Sequence, residues 1–143
     1  MREFIPIAKN IEYGVDYYWR SLKDGCFYRI KLNSLTSQNN YNIRILELID
    51  IGYYTDKPME ELLSIKSFHK DELRVHYSYE DAKLNYLLYA INNNILFEFE
   101  KMIDISFELY DILIKRPDIY IKYIDNLMES SIFKTMLEGK FTR

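Results

Sequence analysis

Ile43-Arg44-Ile45-Leu46-Glu47-Leu48-Ile49-Asp50-Ile51 is the stretch on which the fold turns. Its polar residues, Arg44, Glu47 and Asp50, recur at every third position. That spacing sits closer to the turn of a helix than to the alternation of a strand. It predicts a short buried helix ending near Gly52, with glycine just past the last turn. Upstream, Ile7, Ile11, Tyr18 and Leu22 recur near the same period after Pro6, which suits a first helical turn, and Lys23-Asp24-Gly25 closes that helix. Downstream, Thr55-Asp56-Lys57-Pro58 opens another helix to about Ser67, with Asp56 as its cap.

Two segments read as strands. Over residues 26–32, Tyr28, Ile30 and Leu32 point one way and Phe27, Arg29 and Lys31 the other. Residues 73–77 alternate likewise and are expected to pair with them. Residues 33–42, rich in Ser and Asn, read as a polar loop. Beyond them, Ser78 caps a helix over residues 79–91 that is apolar nearly all round and therefore central, with Leu87 buried. After Asn92-Asn93-Asn94 comes the longest helix, residues 95–115, which stops before Arg116-Pro117. Asp118 starts a helix through Met128, and Ser130 or Ser131 starts a last one ending at Gly139. The sum predicts a mainly α fold, α+β only through a small early sheet. The expected architecture is a compact helical bundle, one globular domain over residues 1–143.

Composition narrows the function classes. Ile occurs 19 times, Tyr 14 and Phe 8, against 4 glycines and 3 prolines, a usage that A/T-rich codons of a low-GC genome produce unaided. Nineteen basic and 22 acidic residues leave a net charge of −3, which argues against a generally basic nucleic-acid binder. Arg20, Arg29 and Lys31 are a thin supply for a stacking groove, so no nucleic-acid partner is expected. The single cysteine, Cys26, excludes an internal disulfide. Residues 1–6 lack the apolar run of a signal peptide, and no stretch holds 18 uninterrupted apolar residues. A cytoplasmic protein without a membrane partner is expected.

No motif names a reaction. His69, Glu72 and His76 would share one face if they lay on a continuous helix, giving two imidazoles and a carboxylate as a metal set. The alternation of Leu73, Val75 and Tyr77 with Arg74 and His76 would scatter them, and the spacing matches no established ligand motif. Cys26, at the start of an apolar strand, reads as a small buried hydrophobe rather than a nucleophile. Four scattered glycines form no phosphate-cradling loop, and no G-x-S-x-G occurs. No cofactor is expected, and the chain is read as not an enzyme.

Two features suit binding instead. Tyr17, Trp19 and Arg20 belong to residue types that dominate interaction hot spots. Tyr18 keeps the register of Ile7, Ile11 and Leu22, so Tyr17 and Trp19 are expected to face outward. On the longest helix, Glu100, Asp104, Glu108 and Asp111 fall on one side, opposite Phe99, Met102, Ile103, Leu109, Tyr110 and Leu113. This acidic strip suits a basic protein partner, such as a toxin or a nuclease-like enzyme. The expected function is a small acidic protein-binding inhibitor: a bacterial immunity protein neutralising a toxin, or a phage protein blocking a host defence enzyme. Alternatives are a self-associating structural or regulatory helical module, and a small metal-dependent enzyme using His69, Glu72 and His76.

Overall fold

In the run Tyr17-Tyr18-Trp19, alternation wins over the helical period. Tyr17 and Trp19 turn to one side and are buried, while Tyr18 turns to the other. Bulky aromatics pack well on a pleated surface, and residues Asp16–Arg20 form strand β1. In this computed structural model, which describes residues 7–8, 10–37, 39–52, 57–92 and 99–139, four more strands follow. They are β2 (Phe27–Ser37), β3 (Asn40–Asp50), β4 (Ile65–His69) and β5 (Val75–His76). The sheet order is β4-β3-β2-β1-β5, and every neighbouring pair is antiparallel. The expectation of a mainly α helical bundle is therefore corrected: the first half of the chain is a five-stranded antiparallel sheet. The residue 73–77 strand is present as β5, but it pairs with β1 rather than with β2.

The misread stretch of β3 has a specific cause. Arg44, Glu47 and Asp50 stand opposite Lys31, Arg29 and Phe27, successive same-face positions of β2. Three residues of β3 thus match two of β2 at each step. Leu46 and Ile49 are the extra residues, each in a β-bulge. A period of two with one bulge per step produces a polar repeat of three, which imitates a helix. On the core face Ile43, Ile45 and Leu48 stand opposite Leu32, Ile30 and Tyr28, so the Leu46 bulge lengthens only the second step.

That face builds the core of the sheet. Tyr17, Trp19, Tyr28, Ile30, Ile43, Ile45 and Val75 are joined there by Ala8, Cys26 and Leu73. Phe68 meets Trp19 edge to face, with ring centroids 5.3 Å apart. The opposite face carries an ion ladder in which Arg29 bridges Asp16 at 2.9 Å and Glu47 at 3.1 Å. At the end of β3, Asp50 accepts from the Tyr79 hydroxyl at 2.6 Å and from Lys83 Nζ at 2.7 Å. Burial alone pushes the Asp50 carboxyl up, but these two partners outweigh it and hold it below the ordinary carboxylate range.

The described residues up to Lys83 make one compact unit and those from Leu84 a second. Helix α1 (Tyr79–Asn92) starts where Ser78 Oγ accepts from the Asp81 amide at 3.1 Å. As its near-uniform apolarity implies, Leu84, Leu87 and Leu88 are fully buried. Helix α2 (Phe99–Leu113) lies inside the expected 95–115 span, whose residues 95–98 fall outside the described residues. Helix α3 (Pro117–Leu127) and helix α4 (Ser131–Leu137, capped by Ser130) lie close to the expected bounds. Helix α2 packs against α4 and touches α3. Among the described residues, no helix is long and apolar enough to cross a membrane.

Candidate functional site

Helix α2 is amphipathic in fact as in pattern. Met102, Ile105, Leu109 and Leu113 are buried at helical spacing, while Glu100 and Asp104 are exposed and Glu108 and Asp111 half-buried. Against these four carboxylates the helix has one cation, Lys101, for a net charge of −3. The whole chain also carries −3, so everything outside α2 sums to zero. Like charges recur along the helix. Glu100 and Asp104, and Asp104 and Glu108, are like-charged pairs at i, i+4, each costing about 0.2–0.5 kcal/mol. Asp111 lies in the last turn, which has no basic residue, at the end where the helix dipole disfavours an anion. Glu100, in the first turn, is by contrast favoured by the same dipole.

The aromatic anchors are not where the sequence put them. Tyr17 is 1% exposed and Trp19 6%, both inside the sheet core. The Tyr17 hydroxyl accepts from the Glu12 amide at 2.9 Å, and burial pushes its pKa up. Core rings cannot reach a partner without unfolding the sheet, so Tyr17 and Trp19 are withdrawn as contact residues. The His69, Glu72 and His76 set is not assembled either. His69 ends β4 and leans on Asp71, Glu72 lies exposed in the following turn, and His76 is buried in β5. Among the described residues, no three His, Cys, Asp or Glu side chains are placed to hold a metal ion. Cys26 is fully buried, and desolvation pushes its thiol pKa up, which leaves less of the reactive thiolate.

Sequence reading missed a buried carboxylate pair at the hairpin between β1 and β2. The turn closes with Ser21 N–H on the Cys26 carbonyl at 2.9 Å and Gly25 N–H on the Ser21 carbonyl at 2.8 Å. Gly25 takes a φ of +72° there, which a side chain would resist. Asp24, 3% exposed, accepts four hydrogen bonds. Oδ1 receives the Cys26 amide at 2.9 Å, and Oδ2 receives the Tyr28 hydroxyl at 2.6 Å and the Met59 and Glu60 amides at 2.8 and 3.3 Å. Burial raises the Asp24 pKa, but the donors outweigh it and the net shift is downward. Burial and the bond to Asp24 push the Tyr28 hydroxyl well above an ordinary phenol. Glu60, also buried, accepts from the Ser21 hydroxyl at 2.9 Å and pairs with Lys66, whose pKa that bond raises.

This clamp fixes a segment that is otherwise apolar and outward. Met59, Leu62, Leu63 and Ile65 are exposed, Met59 at 65% and Leu63 at 64%. Leu63 sits at φ +64°, the left-handed region that a branched side chain enters at a cost of about 1–2 kcal/mol. Its amide reaches the Ile45 carbonyl at 2.6 Å, while the Ile45 amide reaches the Ser64 carbonyl at 3.1 Å. Beside this ridge lies a shallow hollow of about 240 Å³ lined by Met59, Glu61, Ser64, Ile65 and Lys66. The one sequence signal was Asp24 before Gly25, and a turn-forming Asp-Gly pair does not reveal that its carboxylate reaches Met59 and Glu60.

No protein-family model matches the chain, and neither does any curated protein or solved structure compared with it.

Proposed function

We propose that this protein is a non-catalytic, acidic inhibitor that works by binding a more basic protein. A bacterial toxin met by its immunity protein, or a host defence enzyme blocked by a phage protein, fits that description. The observation that carries the reading is the composition of α2, four carboxylates against one lysine, a net charge of −3 equal to that of the whole chain. A concentrated negative potential speeds encounter with a positive cleft and disfavours acidic competitors. Glu100, Asp104, Glu108 and Asp111 are the contact and steering residues.

The test begins with a photo-crosslinking residue at Asp104, with the exposed Ile121 of α3 as the control position, in the cell of origin. The expected product is one basic protein captured from position 104 and not from 121. With that protein purified, changing the four residues to Gln and Asn should slow association, and added salt should slow the wild type more than the variant. An association rate indifferent to both would refute the reading.

A further inference from the structure

The chain has four glycines, Gly14, Gly25, Gly52 and Gly139; Gly25 alone follows an aspartate, and none follows an asparagine. With no side chain beside it, a glycine nitrogen is the least hindered nucleophile toward the carboxyl carbon of the residue before it. In that reaction the Gly25 nitrogen attacks Asp24 Cγ, forms the N–Cγ bond and gives up its proton. The carboxyl hydroxyl leaves as water, and the product is a cyclic succinimide. A second water then opens the ring at either carbonyl and yields aspartate or isoaspartate, with no net change in mass or oxidation state.

The folded hairpin withholds what this attack needs. The Gly25 N–H is donated to the Ser21 carbonyl at 2.8 Å, so the nitrogen that must lose its proton is held in the turn. Both carboxylate oxygens are engaged, Oδ1 by the Cys26 amide and Oδ2 by the Tyr28 hydroxyl and the Met59 and Glu60 amides. Those donors fix the side chain and keep it ionised, whereas the departing group is the hydroxyl of the neutral acid. Asp24 and Gly25 are both buried, so the water that opens the ring is kept out as well. We propose that Asp24-Gly25 is a latent self-modification site, guarded by the folded hairpin, whose reaction makes opening of the clamp one-way. Isoaspartate routes the main chain through Cβ and leaves its carboxylate on Cα, one methylene shorter. The turn that Gly25 closes at φ +72° then carries an extra backbone atom. The shortened carboxylate no longer reaches the amides of Met59 and Glu60, 35 and 36 positions along the chain. The site is independent of the acidic face of α2.

The test incubates the full chain, folded in buffer and unfolded in guanidinium, at about pH 5, where an ordinary Asp carboxyl is partly protonated. Mass spectrometry of the Asp24 peptide reads the succinimide as the loss of one water. A protease that cuts before aspartate and not before isoaspartate reads the final product. Modification at residue 24 is expected to build up in guanidinium and to run at least about tenfold slower in the folded chain, because it proceeds only through the opened population. Tyr28→Phe removes one guard without touching the reacting pair. It should speed the reaction of the folded chain about 5–30-fold through a larger opened population. The wild-type comparison needs no variant to fold. After guanidinium is removed, isoaspartyl chains should unfold at lower urea than unmodified chains of the same sample, read by Trp19 emission. Equal rates in folded and unfolded wild type overturn the proposal, as does an unfolded chain left unmodified at residue 24. A folded Tyr28→Phe that reacts no faster than wild type, or isoaspartyl chains of unchanged urea midpoint, overturn it too.

Discussion

Asp24→Asn is the most informative single perturbation of the sheet. The carboxylate gathers four donors, three of them on Oδ2. An amide keeps one acceptor oxygen and puts an NH₂ group where the other oxygen stood, so at least the Cys26 amide loses its partner and meets a donor instead, and the remaining donors lose a charged acceptor. A hydrogen bond to a charged group is worth about 1.5–3 kcal/mol, and a buried group left without a partner costs a similar amount. Allowing for the weak 3.3 Å bond from Glu60 and for non-additivity, the expected loss is about 3–5 kcal/mol. Urea unfolding followed by Trp19, the one tryptophan, reads this unit directly. The pH dependence supplies a second readout. The folded pKa of Asp24 lies below its unfolded value, so its stabilisation is fully present above the ordinary carboxylate range and fades as pH falls through the folded pKa. Asp24→Asn should flatten that acid limb. Tyr28→Phe should cost about 1–2 kcal/mol alone and much less in the Asp24→Asn background. A loss below about 1 kcal/mol for Asp24→Asn, or additivity of the two changes, would refute the clamp.

Two further outcomes test the packing of the same unit. Gly52→Ala would drive its new methyl into the Gly25 carbonyl oxygen, a backbone atom that cannot swing aside. A cost on the order of 1–3 kcal/mol in urea midpoint is expected, and a neutral substitution would show that the two chain segments part easily. Trp19→Ala should cost about 3–5 kcal/mol by circular dichroism as a core truncation, and a near-silent change would restore Trp19 to the surface.

What the sequence disclosed and what it hid divide along physical lines. Helices α1, α3 and α4 were legible because each has a cap or a breaker at its border: Ser78, Pro117 and Ser130. The inward face of β2 was legible over Tyr28 and Ile30 because no bulge displaces their alternation from residue 28 to 32. Strand β3 was not, since Leu46 and Ile49 shift its parity twice. Strand β1 was lost to Ile7, Ile11 and Leu22, whose helical spacing is accidental: Leu22 is at the exposed tip of the hairpin. Reading that accident as a helix turned Tyr17 and Trp19 outward on paper. The acidic face of α2 was visible because charge on a helix follows a fixed angle per residue. The Asp24–Glu60 clamp was invisible because it joins residues 36 positions apart.

The meeting of Gly25 and Gly52 sets a condition on any diverged sequence that keeps this sheet. Where the exit of β3 crosses the β1–β2 hairpin, there is room for a hydrogen atom and none for a methyl. A distant relative is therefore recognisable by a coupled set rather than by overall likeness. It would show an acid-glycine pair closing the first hairpin and a second glycine two residues after the bulged strand. A buried glutamate and a lysine bracketing an apolar segment would complete it. Such a pattern can be sought in sequences whose alignable identity has decayed, and the second glycine is the position where a single substitution would betray a different fold.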